Sequence, residues 1–195
     1  MNLNLTTRDL ITIGIFSAII LFVYIFLSGA LFTPLLQILM MPIGALLLGP
    51  VYMLYIARTQ KLGALTITAL LIAILTGLIV YGSIVIALVN LVIGLLAELF
   101  AYIGGYKSFR WNTLSYITMS MWPIGQQGGI WFAKDWLYAL TVTSGYPEEF
   151  AAGYIALGTP LNLALIIVST VICGLISTNV AQGMLKRHFR RAGIA

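Results

Sequence analysis

Charge is what this sequence has least of. Ten of its 195 residues are Lys or Arg and five are Asp or Glu, so 8% carry a full charge, where water-soluble domains carry about a quarter. With 61% hydrophobic residues and a mean hydropathy of +1.06, a soluble surface would have nothing to face water, and the solvent is lipid. There is one cysteine, Cys173, inside an apolar run, which excludes an intramolecular disulfide and leaves a small buried hydrophobe. The one histidine, His188, falls in a basic tail, so no intramembrane imidazole is available to a metal. No glycine-rich loop ending in Lys-Ser or Lys-Thr occurs, so this chain does not hydrolyse ATP alone. The apolar residues come in long unbroken runs, not in alternating segments of about ten, which argues against a transmembrane barrel.

What is present is an all-α integral membrane bundle in one domain over residues 1–195. Six segments are long and apolar enough to cross: Leu10 to Leu27, Leu35 to Ala57, Leu62 to Val80, Ile84 to Ile103, Thr113 to Ala133 and Pro160 to Gln182. The first is longer than a signal-peptide core, and Asp9 neutralises Arg8 beside it, so it is read as a span. Six crossings put both termini on one side. Arg8, Arg58, Lys61, Lys107, Arg110, Lys186, Arg187, Arg190 and Arg191 fall there and only Lys134 falls opposite, so both ends are expected in the cytoplasm of a multi-pass cell-membrane protein. The tail from Lys186 to Arg191 is read as attracted to anionic lipid, not to nucleic acid.

One connection is long. Lys134 to Thr159, outside, holds Trp136, Tyr138, Tyr146 and Tyr154, and Pro147-Glu148-Glu149 reads as a helix start with acids in the first turn. A surface helix from Pro147 to about Leu157 is expected, either as an interfacial belt or as a lid over a bound solute.

Polar side chains within spans are costly, so their depth is informative. At 1.5 Å rise per residue Asn90 lies roughly 9 Å below the outer boundary, with Gln127 at the same depth and Gln126 one residue deeper. Asn162 opens the sixth span on the outer side, Trp122 and Trp131 flank the glutamines, and Tyr24 and Ser28 share the outer half of the first span. Amides donate and accept without charge, which suits a neutral or zwitterionic solute between aromatic faces. The expected pocket is lined by Asn90, Trp122, Gln126, Gln127 and Asn162 and closed by Trp131 and Tyr146. The plainer alternative is that these amides tie helices together, at well under 2 kcal/mol each. Within Met121-Trp122-Pro123-Ile124-Gly125-Gln126-Gln127-Gly128-Gly129 the proline and glycines break the helix, and broken backbone at membrane depth needs a cavity or protein cover.

Glu98 is the only acid deep in a span, about 8 Å from the cytoplasmic boundary by helical rise, with Lys107 or Arg110 in reach. It reads as a structural or coupling residue, with a proton relay as the sharper option. Glu148-Glu149 is only superficially like the glutamate pair of membrane-embedded prenyl-protein proteases, because the matching arginine and intramembrane histidines are missing; the chain is read as a transport subunit and not an enzyme. Gly14 and Ala18 lie four apart on one face of the first span, a spacing that lets another helix come close. Ala45 and Gly49 repeat it in the second, where Pro42 and Pro50 predict kinks.

The opening Thr7-Arg8-Asp9-Leu10-Ile11-Thr12-Ile13-Gly14-Ile15-Phe16-Ser17-Ala18, then Gly94-Leu95-Leu96-Ala97-Glu98-Leu99 with Gly104-Gly105-Tyr106, and Met121-Trp122-Pro123-Ile124-Gly125, follow one another in an order that resembles the substrate-binding S components of energy-coupling factor (ECF) transporters, most closely the MptS or Trep_Strep branch. The resemblance implies capture of a vitamin-like or other small micronutrient from outside, occlusion by outer loops and inward release when the subunit topples. It implies a membrane coupling subunit that docks on Gly14 and Ala18, where glycine replaces the usual first alanine, and two cytoplasmic ATPases that consume the ATP; this chain holds no cofactor. Substrate contacts vary between S components, so the pocket residues above rest on depth alone. The competing expectations are a self-sufficient secondary transporter or channel using Glu98, and a lipid-facing scaffold without a ligand.

Overall fold

Three apolar runs form helices long enough to cross a membrane by themselves in the computed structural model, which describes residues 5–30 and 32–191: Thr7–Gly29 within α1 (Thr7–Ala30), α6 (Ile84–Ile103) and Pro160–Leu185 within α12 (Pro160–Arg191). Between them lie α2 (Pro34–Ile38), α3 (Met40–Leu47), α4 (Gly49–Thr59), α5 (Ala64–Ile72) with a π-helical continuation Ala73–Val80, α7 (Phe109–Met119), α8 (Ile124–Gln127), α9 (Gly129–Phe132), α10 (Lys134–Thr143) and α11 (Glu148–Ala156). No strand occurs among the described residues. The side chains of the basic tail from Lys186 to Arg191 lie outside the described residues.

The six segments read as spans are not six continuous helices: the second and the fifth are broken, where prolines and glycines predicted it, and the third is short. The second segment is split into α2, α3 and α4, and α3 and α4 meet at 54°. The bend has a local cause. Pro50 has no N–H for the carbonyl of Leu46, four residues earlier. The Ser177 hydroxyl of α12 donates to Leu46 O instead (2.6 Å) and accepts the Gly49 N–H (3.1 Å). A Cβ on Gly49 would collide with Ser177, so glycine is required there.

The fifth segment stops at Met119. Met121 and Trp122 N–H groups bond three residues back, to Thr118 and Met119, in the tighter pattern of a fading helix. Pro123 then breaks the ladder, and α8 and α9 are single turns, so the break read from this stretch is present. The third segment is apolar but short, 17 residues from Ala64 to Val80. Its second half widens to i−5 bonding, as in Tyr81 N–H to Thr76 O at 3.1 Å.

The bundle is apolar outside and stitched with hydroxyls inside. Phe22, Ile25 and Phe26 of α1 and Phe132 of α9 are 65–75% exposed, a surface suited to hydrocarbon and not to water. Inside, Ser17 donates to Thr68 (3.0 Å), Tyr55 O–H meets Thr68 and Ala64 O, Tyr52 pairs with Ser115, and Tyr116 O–H donates to Ala45 O (2.6 Å). Each such bond joins two helices where no hydrophobic drive exists between them in lipid. Glycines set the close approaches: Gly94 lies on Ala69, so α5 meets α6, and Gly77 lies on the Ala87 backbone.

The charges divide between two poles. At one, Lys61 pairs with Asp9 (2.5 Å). The buried Glu98 accepts the Thr66 N–H at 2.9 Å in the first turn of α5, and the Tyr106 hydroxyl donates to its other oxygen. Glu98 is therefore a carboxyl group set at a helix N-terminus, where N–H groups are free to donate to it. Thr66 and Tyr106 hold it, whereas Lys107 and Arg110 are exposed, so the reach from those bases is corrected. Lys134, Asp135, Glu148 and Glu149 cluster with α10 and α11 at the other pole. The surface helix expected from Pro147 is α11, and α10 beside it was not expected.

Candidate functional site

Two adjoining cavities meet at Gln126, and the smaller lies against α10 and α11. The larger, of about 410 Å³, is lined by Leu21, Tyr24, Ile25 and Ser28 of α1, Met40 of α3, Leu75, Thr76, Ile79 and Val80 of the π segment, Tyr81, Trp122 and Gln126. The smaller, of about 50 Å³, shares Met40, Tyr81 and Gln126 with it and adds Gln37, Gln127, Tyr146, Phe150 and Tyr154, with α10 as a further wall.

Each predicted residue takes a definite place. Trp122 is buried and meets Tyr24 edge to face, ring centres 4.8 Å apart. Its indole N–H has no acceptor at good hydrogen-bond geometry, with the Tyr24 hydroxyl the group near enough to interact with it. Gln126 stands at the junction of the two cavities. Gln127 is buried, and its amide N–H₂ donates to Gln37 O at 2.9 Å while its oxygen lacks a partner. Tyr146 lines the smaller cavity, stacked on Phe32 and Phe150 at 5.7 and 4.9 Å. Asn90 lies behind the wall: its N–H₂ donates to Thr76 Oγ1 (3.0 Å), its oxygen has no partner, and Gly125 leaves it room, since a Cβ there would sit 2.5 Å from Asn90 Oδ1.

Like Asn90, Trp131 and Asn162 line neither cavity. Trp131 Nε1 donates to Thr159 O (3.0 Å) and Asn162 Nδ2 to Leu157 O (2.9 Å). Both fasten the turn before α12, sharing carbonyls that also accept the Leu163 and Thr159 N–H groups. Their depth matched the other amides; their direction around the helix did not.

Tyr24 and Ser28 of the first span do line the larger cavity. Sequence reasoning missed Gln37, Thr76 and Tyr81. Thr76 was detectable as the one hydroxyl in the outer half of the third span, whereas Gln37 acts through its backbone and leaves no signal in residue type. Chemically the arrangement offers an apolar, aromatic chamber with a few uncharged donors and acceptors. That is the composition of a small-molecule site. On α1, by contrast, Gly14 and Ala18 are exposed, and a Cβ added at Gly14 meets nothing.

A family model for a hypothetical bacterial integral membrane protein, Trep_Strep, matches residues 7–191. The chain belongs to this family. Membership makes it a multi-pass membrane protein, and the match runs through α1 to α12, so every residue of both cavities lies inside the Trep_Strep unit. No curated protein and no solved structure matches the chain.

Proposed function

We propose that this Trep_Strep chain is the substrate-binding S component of an ECF-type ABC importer. It takes a vitamin-like or other small micronutrient from the outer face and passes it inward by toppling, driven by ATPases of a partner complex. In this reading the chain crosses the bilayer six times with both termini in the cytoplasm, the broken second and fifth segments and the short third one each counting as a crossing. The chain performs no catalysis and holds no cofactor.

The observation that carries the proposal is where the buried polar atoms without partners fall. Among the described residues there are five, and three of them, Asn90 Oδ1, Trp122 Nε1 and Gln127 Oε1, lie on predicted site residues in or directly behind the cavity walls; the other two, Asn112 Oδ1 and Thr113 Oγ1, lie in α7. Buried polar atoms are nearly always paired, and an unpaired one costs about 1–3 kcal/mol. A ligand that supplies an acceptor to the indole and donors to the amides offsets that cost. The open α1 face bearing Gly14 and Ala18 suits a coupling subunit, and Glu98, with both oxygens engaged, fits a structural carboxyl group better than the ion residue of a self-powered carrier.

Extraction of the gently purified protein with analysis of released small molecules tests this. The wild type should release a stoichiometric solute and Gln127→Leu should release none; equal release from both would remove Gln127 from the site, and release from neither would count against solute capture.

A further inference from the structure

We propose that the larger cavity is filled sideways from the bilayer, through a slot between α1 and the π segment, and that its ligand is a small amphiphile with an apolar, ring-bearing or branched body and one polar edge. This deepens the solute-binding reading by naming the route and the chemical class, and it rests on that reading for the cavity's role.

The route follows from what lines the rim. The floor is buried: Tyr24, Met40 and Trp122 are 3–4% exposed. The rim is formed by Ile25, Ile79 and Val80, each 67–68% exposed. All three lie on apolar helix surface that faces hydrocarbon in a membrane protein. No charged side chain lines the cavity, whereas an entrance from water would expose this hydrocarbon rim at a cost of about 25 cal/mol for each Å². The slot has a cause in the backbone. α1 packs along α5 proper, but the packing lapses where α5 passes into the π segment, and π-helical turns recur at functional sites because they displace side chains from the regular register.

The alternative path from the outer pole is blocked. It leads through the smaller cavity of about 50 Å³, roofed by α10, α11 and the Phe32, Tyr146 and Phe150 stack. The space there is too small for a whole solute to pass, and holds at most a water or two or the polar edge of a ligand seated in the larger cavity.

The class follows from the walls. Rings and branched aliphatic groups surround most of the chamber, and its polar groups are few and uncharged: the Gln126 amide, the Trp122 N–H and the hydroxyls of Tyr24, Ser28, Thr76 and Tyr81. A uniformly polar solute would leave most of its own groups unpaired against these walls. An apolar body with a carbonyl or hydroxyl edge fits both the apolar walls and these few groups.

The test uses the full chain in phosphatidylcholine vesicles and the apolar carbene precursor trifluoromethyl-iodophenyl-diazirine, with labelled residues mapped by peptide mass spectrometry. Lateral access predicts label on buried Tyr24 and Trp122 as well as on lipid-facing Leu165, and loss of the label at Tyr24 and Trp122, with Leu165 unchanged, in Ile79→Trp. Label on Leu165 with none on Tyr24 and Trp122 overturns the proposal in the wild type alone, whatever the variant does. Unchanged labelling of the floor in both Ile79→Trp and Val80→Trp overturns the slot as its route. Either failure leaves solute capture intact, because that is read from the released molecule and from Gln127→Leu.

Discussion

Gln127 shows how one side chain serves packing and recognition together. Its amide donates to Gln37 O, which also receives the Leu39 N–H. Replacing it with Leu therefore strands no backbone acceptor, and Gln127→Leu should melt within a few degrees of the wild type while losing solute. Circular dichroism melts alongside solute extraction check this, and a collapse in melting temperature would make Gln127 structural. Glu98 gives the opposite case. Glu98→Ala strands the Thr66 N–H and the Tyr106 hydroxyl, at a cost of about 1–3 kcal/mol for each donor left unpaired, so its melting point should fall clearly. Glu98→Gln keeps an acceptor for one of them, and should lose less stability and keep solute binding; loss of binding with stability intact would return Glu98 to the transport step. At Gly125 a single methyl decides: Gly125→Ala would push on Asn90 Oδ1, and should weaken solute retention with a modest loss of stability, measured by the same extraction.

At the scale of elements, the parts of the fold legible in sequence are those where composition alone suffices. α1, α6 and α12 are unbroken apolar runs, and runs of that length form helices in lipid because no other structure satisfies their backbone. α11 was legible from Pro147 and the acids after it. The bend at Leu48 was signalled by Pro50, but its repair by Ser177, 127 residues further along, required the fold. The π segment had no signal, since i−5 bonding leaves the apolar pattern of Ala73–Val80 unchanged, and α10 was hidden among interfacial aromatics. Of the residues expected from depth, Trp122, Gln126 and Gln127 line a cavity while Asn90, Trp131 and Asn162 do not, because depth says nothing of azimuth on a helix. Azimuth also bears on α1. Gly14 and Ala18 face outward with no neighbour within the chain at Gly14, so Gly14→Trp with Ala18→Trp should leave folding and solute release unchanged and abolish co-purification with a coupling subunit. Co-purification at wild-type yield would place the docking face elsewhere.

At the scale of the whole molecule, a surface of exposed hydrocarbon encloses a hydroxyl-stitched interior with a chamber of about 410 Å³, next to a small cavity walled by α10 and α11. Its acidic and basic residues are few, and the buried one, Glu98, is spent on holding α5. Nothing in the sequence carries the phosphate-binding loop of an engine. Under the function proposed above, such a chain holds a solute and is moved, as the solute-binding subunit of a larger, ATP-driven assembly. Native mass spectrometry of the chain released gently from bacterial membranes addresses that claim most directly. The account predicts one copy of this chain with a coupling subunit and two ATPases, carrying an added small-molecule mass. The chain appearing alone, with neither partner nor added mass, would contradict it.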